Sequence, residues 1–226
     1  MIITIDGPAG SGKSTVARKL AARLNVPYLD TGAMYRAIAF SVLEHDIDAK
    51  DHDALIRHAR AVDLDVDCGP THTRVRVDGR DVSELIRTME VSSITSSVAS
   101  CPDIRRLLVA HQQRLGAKLD AFVTEGRDQG SVVFPKAEAK FVLDANIETR
   151  AQRRFDELRA DGQDVNLDDV KANLSMRDDV DAKQWEPLLS SGRAIVIDIT
   201  GMSIQHVIEK MLTLLPNSQP IREPTA

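Results

Sequence analysis

Ile2-Ile3-Thr4-Ile5-Asp6-Gly7-Pro8-Ala9-Gly10-Ser11-Gly12-Lys13-Ser14 decides the fold. Gly7 to Ser14 fits G-x-x-x-x-G-K-[ST]. An apolar run precedes it and helix-forming residues follow, so the order is strand, phosphate-binding loop, helix. Glycines let backbone N–H groups point inward, and the following helix presents its positive dipole end, which makes the loop a cradle for oxyanions. Lys13 is expected to reach the β- and γ-phosphates of ATP, and Ser14 to place its hydroxyl on Mg²⁺. Gly7, Pro8, Ala9, Gly10, Ser11, Gly12, Lys13, Ser14 and Thr15 form the expected ATP-binding set. A glycine-rich turn with no ligand is the plainer reading, and the strand and helix flanks argue against it.

Outward from the loop, short apolar segments around 2–5, 26–29, 121–124, 140–143 and 194–197 read as buried strands. Helical patterns separate them, expected over 13–24, 32–44, 51–60, 83–99, 103–119, 146–160, 168–177 and 203–215, with Pro102 and Gly162 as stop signals. Strands alternating with helices indicate an α/β fold with a five-stranded parallel sheet flanked by helices. Residues 63–82 break this rhythm. Leu64-Asp65-Val66-Asp67 and Val75-Arg76-Val77-Asp78 alternate with period two, and Asp78-Gly79 favours a hairpin turn, so a small antiparallel β insert is expected, as a mobile flap or a stabilising surface hairpin. The core is expected over 1–62 and 83–215, with a helical lid at about 150–180 and a polar, proline-containing, disordered tail over 216–226.

The chain of 226 residues is 42% hydrophobic and carries a net charge of −5. That balance favours a small anionic ligand over nucleic acid polymer or an anionic membrane. Cys68 and Cys101 lack metal-ligand spacing and read as reduced structural thiols. With no export-type leader and no apolar run near 18 residues, a cytoplasmic protein is expected, and with no exposed apolar helix stripe evident, a monomer.

Four further elements address what receives the γ-phosphate. A guanine-reading N-K-x-D element is missing from the sequence. In Asp30-Thr31-Gly32-Ala33-Met34-Tyr35-Arg36, Thr31 offers a hydroxyl and Arg36 a planar fork suited to phosphate; the alternative is a helix cap with a solvated arginine. Val123-Thr124-Glu125-Gly126-Arg127-Asp128 ends a strand at the ligand-binding rim of an open α/β sheet, with Glu125 placed to manage Mg²⁺ directly or through water. Arg150 and Arg154 are four residues apart and are expected to share a face that delivers positive charge to a transferring phosphoryl group, beside Arg153. Arg177-Asp178-Asp179-Val180-Asp181, expected after a helix ending near Met176, is either a surface ion-pair network or a clamp on sugar hydroxyls.

With these elements in order, the chain resembles the bacterial cytidylate kinases over about residues 2–215. The landmarks are Ile5-Asp6-Gly7-Pro8, Asp30 to Arg36, Ile86-Arg87-Thr88, Gly126-Arg127-Asp128-Gln129-Gly130-Ser131-Val132-Val133-Phe134-Pro135, Arg150-Ala151-Gln152-Arg153-Arg154 and Arg177-Asp178-Asp179. The resemblance implies ATP-dependent phosphorylation of CMP and dCMP, with Lys13, Arg127, Arg150 and Arg154 as catalytic charges. Ser96, Arg105 and Asp128 are implied as cytosine readers, Thr31, Arg36 and Arg127 as ligands of the acceptor phosphate, and Arg177 and Asp181 as the sugar clamp. Cytosine presents an amino donor beside N3 and O2 acceptors, which a carboxylate, a hydroxyl and an arginine complement. Uracil would turn a carbonyl toward Asp128. The insert at 63–82 matches the family's extra piece of the monophosphate-binding region. Similar proteins carry an arginine where this chain has Gln184, so no acceptor-phosphate ligand is assigned there, and Ser131 replaces a usual threonine. The rivals are a kinase for another small acceptor such as UMP, and a nucleotide-gated binding module that changes shape without transfer.

Overall fold

The computed structural model describes residues 1–160 and 162–216, without the side chains of 177 and 179–185. In chain order its first half contains β1 (Ile2–Asp6), α1 (Lys13–Leu24), β2 (Tyr28–Asp30), α2 (Thr31–Glu44), α3 (His52–Ala61), β3 (Leu64–Cys68), β4 (Thr73–Val77), β5 (Arg80–Asp81), a 3₁₀ turn (Leu85–Arg87) and α4 (Met89–Ser100). Then come α5 (Pro102–Gly116), β6 (Phe122–Glu125), one turn of π-helix (Gln129–Val133), β7 (Ala139–Asp144), α6 (Ile147–Ala160), α7 (Leu167–Ser190), β8 (Ile195–Asp198) and α8 (Ile204–Thr213). The fold is α/β, with a five-stranded main sheet of strand order β2-β6-β1-β7-β8 and a three-stranded antiparallel sheet β3-β4-β5.

The chain divides into two compact units, one of residues 1–20 with 127–226 and one of 21–126. In the first, β1 pairs in parallel with β7, Ile3 opposite Ala139, and β7 pairs with β8, Phe141 opposite Ile195. Strands β1 and β7 are covered on both faces, with Ile3, Ile5, Phe141 and Leu143 fully buried, whereas Val196 of β8 is exposed. Helices α6 and α7 meet through Ala151, Val170 and Leu174, and Ala9 of the phosphate loop packs against that cluster.

In the second unit, β2 pairs in parallel with β6, with Asp30 opposite Glu125. The apolar stripe of α2, including Met34, Ala37 and Ile38, is buried, as are Leu55, Val75, Ile86 and Leu108 from the surrounding elements. The small sheet is fastened to β2. Tyr28 N–H donates to Gly69 O at 2.9 Å, Thr73 Oγ1 donates to Tyr28 O at 2.6 Å, and Asp30 N–H donates to Thr73 Oγ1 at 3.0 Å. The hairpin turn falls at Asp78-Gly79 as its residues require, with φ of +50° at Asp78.

Several boundaries depart from the sequence reading. Strand β2 starts at Tyr28 rather than near 26, because Asn25 (φ +52°) ends α1 and the Val26 N–H bonds back to Ala21 O. The helix expected over 83–99 is split by Thr88, whose backbone is extended and whose Oγ1 caps α4 by accepting the Val91 N–H. Helix α4 ends at Ser100, just before Pro102 as expected, and Pro102 itself opens α5, since the first helical position needs no N–H donor. Helix α7 does not end near Met176: it runs to Ser190, and the Arg177-Asp178-Asp179 run lies inside it. That run lacks an apolar stripe, yet contains no glycine or proline to break a helix before Pro187. The expected tail falls, apart from Pro216, outside the described residues.

Candidate active site

The phosphate loop leaves β1 at Asp6 and enters α1 at Lys13. Gly7 has φ +141°, and a Cβ there would lie 2.2 Å from the Leu143 carbonyl oxygen, so strand β7 presses on the loop from behind and only glycine fits. The Lys13 ammonium donates to Pro8 O at 2.8 Å, folding over the loop it serves. Ser11 Oγ is buried with no hydrogen-bond partner among the described residues, a polar atom suited to a phosphate oxygen. Ser14 is exposed at the start of α1 and Thr15 is half-buried.

Two arginines of α6 brace this loop. The Arg150 guanidinium is buried and makes a two-pronged pair with Asp178 of α7 at 2.9 and 2.6 Å, while also donating to Ala9 O at 3.2 Å and Ala145 O at 2.9 Å. Arg153 donates to Ser11 O at 3.4 Å. Arg154 is more exposed and pairs with Glu157 at 3.0 Å. Four residues apart on α6, the two arginines have different partners: Arg150 is paired with Asp178 and bonds the loop backbone, whereas Arg154 is paired with Glu157.

The segment carrying Arg127 and Asp128 turns widely after β6. Val133 and Phe134 N–H groups bond five residues back, to Asp128 O at 3.1 Å and Gln129 O at 2.7 Å. Sequence reasoning found no role for the residue that anchors this turn. The Asp6 carboxylate is fully buried and accepts the Gln129 N–H on Oδ1 and the Gly130 N–H on Oδ2, both at 2.8 Å. Burial pushes the Asp6 pKa up to about 6, the two N–H groups oppose that, Asp128 adds to it and Lys13 pulls it down. An acid at the end of an otherwise apolar strand was the available signal. Asp128 is buried and Arg127 half-buried.

In the unit of residues 21–126, Thr31 and Glu125 come together at the ends of β2 and β6, beside Asp30 and Arg87. Asp30 caps α2 by accepting the Ala33 N–H at 2.9 Å, and its other oxygen pairs with Arg87 at 2.8 Å. Burial works against the Arg87 guanidinium, but Asp30, with Tyr28 and Glu125, holds its pKa above the ordinary value. Thr31 Oγ1 donates to Glu125 O at 2.8 Å, which brings two predicted site residues together, and the Glu125 carboxyl is buried at the end of β6. Arg36 is half-buried and donates to Ser92 Oγ at 2.6 Å. Arg87 was quoted only as a landmark, although its place beside the acid that caps α2 ties it to this cluster. Ser96 is exposed on α4 and Arg105 half-buried in the first turn of α5. The side chains of Arg177 and Asp181 lie outside the described residues. Both cysteines are free, and burial, with Asp67 and Asp30, pushes the Cys68 thiol up to about 12. Among the described residues no cluster of three or more metal-ligating side chains occurs, and no helix is long and apolar enough to cross a membrane.

Comparison with known proteins places this arrangement. A family model described as cytidylate kinase matches residues 3–217. The cytidylate kinase of Carboxydothermus hydrogenoformans is 41% identical over 216 residues, covering 95% of this chain and 97% of its own. That of Caldanaerobacter subterraneus is 42% identical over 210 residues, covering 92% of each. The crystal structure of an uncharacterized protein from Eubacterium ventriosum aligns over 95% of this chain and 97% of that one with a TM-score of 0.51 at 15% identity, a likeness of fold alone.

Proposed function

The chain belongs to the cytidylate kinase family, and from that premise we propose how its residues divide the work of the reaction. The reaction is ATP-dependent phosphorylation of CMP and dCMP to CDP and dCDP, by a phosphotransferase with a phosphate group as acceptor. The observation that carries the reading is that the family match runs through both the phosphate loop and residues 126–135.

An anionic oxygen of the CMP α-phosphate attacks the γ-phosphorus of ATP in line; the new O–P bond forms as the β–γ bridging bond breaks, and ADP leaves. The acceptor oxygen already carries charge, so no side-chain nucleophile is needed. Residues 7–15 bind the ATP phosphates, and Lys13 neutralises the β- and γ-oxygens. Thr31, Arg36 and Arg127 hold the acceptor phosphate. Asp128, Ser96 and Arg105 read cytosine, and Arg177 and Asp181 take the sugar. Arg127 and Arg154 supply positive charge to the transferring group, while Arg150 positions the loop through Ala9. The segment 63–82 belongs to the monophosphate-binding region and 150–180 to the lid.

ATP use by a kinase of this kind implies a divalent metal. We assign it as Mg²⁺, with the Ser14 hydroxyl as direct ligand and the Glu125 carboxylate acting directly or through water. These hard oxygen donors suit Mg²⁺, which keeps its waters and rides on nucleotide phosphates. When bound, it neutralises phosphate charge and orients the oxygens. A cytoplasmic monomer is the setting we propose.

The test is ADP release from ATP with each monophosphate. CMP and dCMP should be accepted, UMP should be much poorer, and EDTA should abolish turnover. A clear preference for UMP would replace the cytosine reading with the UMP kinase. Tight ATP binding without monophosphate-dependent ADP release would leave only a nucleotide-gated module.

A further inference from the structure

Asp6 sits at the junction of two loops. Its main chain runs directly into Gly7, the first residue of the phosphate loop. Its side chain, fully buried, holds the Gln129 and Gly130 N–H groups, one on each carboxylate oxygen, at 2.8 Å. The turn it holds has little room to settle elsewhere. A Cβ on Gly130 would lie 2.9 Å from Thr4 Oγ1, 3.0 Å from Leu188 Cδ2 and 3.2 Å from Asp6 Oδ2. At the far end, the buried Lys140 ammonium donates to Pro135 O at 2.5 Å. The stretch that follows Arg127 and Asp128 is thus held at 129–130 and at 135 by two buried charged residues, from adjacent strands β1 and β7, each bonded to its backbone.

A buried carboxylate is costly unless it is hydrogen-bonded, and the two N–H groups it accepts here open the wide turn that follows Arg127 and Asp128. We propose that Asp6 is a positioning residue for the acceptor: it fixes the Gln129–Gly130 backbone, and through it Asp128 and Arg127, so that it sets CMP affinity and base selectivity without touching either substrate. This rests on the assignment of Arg127 and Asp128 to CMP. A merely structural Asp6 would act first on its chain neighbour, the phosphate loop.

Asp6→Asn keeps the shape but offers one acceptor and one donor face, so one of the two N–H groups meets an N–H₂ group. Gly130→Ala disturbs the same turn from the other side with Asp6 intact. Steady-state KM values for CMP and ATP, the ratio of kcat/KM for CMP to that for UMP, and Tm are measured for both variants, with Asp128→Ala assayed in parallel. The expected result is a KM for CMP raised about tenfold or more and a reduced CMP/UMP ratio, with KM for ATP changed less than about threefold, in either variant that folds. A KM for ATP that rises as much as that for CMP, or an unchanged CMP/UMP ratio, overturns the proposal. If Asp128→Ala also leaves the ratio unchanged, the cytosine assignment beneath it has failed; if Asp128→Ala lowers the ratio and neither of the others does, the positioning role alone has failed.

Discussion

The phosphate loop and the acceptor cluster are built by different means. In the unit of residues 1–20 and 127–226, functional groups are placed by backbone: Gly7 is pressed against Leu143 O, Ala9 O is held by Arg150, and Gln129 and Gly130 are held by Asp6. In the unit of 21–126, side chains pair with side chains, Asp30 with Arg87 and Arg36 with Ser92, while Thr31 Oγ1 bonds the Glu125 carbonyl at the end of β6. Backbone placement tolerates almost no change of residue at the close contacts, whereas side-chain pairs can be exchanged or relaxed. Substitutions in the two regions should therefore fail differently.

The largest effect is expected from Lys13→Ala, which removes charge from the transferring phosphate. It should lower kcat by on the order of 10²–10³-fold while leaving the CMP/UMP ratio unchanged. Gly7→Ala should be a stability defect instead, on the order of 3 kcal/mol by denaturant titration, because the new Cβ meets a carbonyl oxygen that belongs to a central strand. Retention of wild-type stability would show that the loop can move away from β7. In the other unit, Arg87→Met leaves the buried Asp30 carboxylate with its cap bond but without its cation. The expected cost is about 1–2 kcal/mol, with a raised KM for CMP and an unchanged KM for ATP.

Changes of pH sharpen the contrast, because the two units carry shifts of opposite consequence. Burial raises the Asp6 pKa from 3.8 to about 6, so the native state holds its proton more tightly than the unfolded chain. Stability should fall as pH rises from about 4 to 6 relative to Asp6→Asn, with the penalty complete above about 6. His58 shifts down, through burial and then its neighbour His45, while its Nε2 bonds Ser41 Oγ at 2.8 Å. Its neutral form is favoured in the native state, so it should cost stability as pH falls through about 6.5, relative to His58→Gln. Equal pH profiles for each variant and the parent would remove the corresponding shift.

The same contrast explains what could be read in advance. Gly7, Lys13 and Ser14 are legible because a phosphate-binding backbone demands those residues at that spacing. The small antiparallel sheet is legible because Leu64–Cys68 and Thr73–Val77 alternate around a turn that needs Asp78-Gly79. An acid closing an apolar strand marks Asp6, but its partners Gln129 and Gly130, 123 and 124 residues away, cannot be read from that local pattern. Nor can the Arg150–Asp178 pair, 28 residues apart, which converts an expected free cation into a brace. The continuation of α7 past Met176 was hidden because a charged helical run without an apolar stripe looks like a solvated loop.

In the proposed division of labour, one set of residues drives transfer and another chooses the base. The most direct measurement is the ratio of kcat/KM for CMP to that for UMP in the parent, Lys13→Ala and Asp128→Ala proteins, with the KM for ATP recorded alongside. The account predicts that Asp128→Ala collapses the ratio while KM for ATP stays near its original value, and that Lys13→Ala slows both acceptors equally. An unchanged ratio in Asp128→Ala, or a changed one in Lys13→Ala, would contradict it.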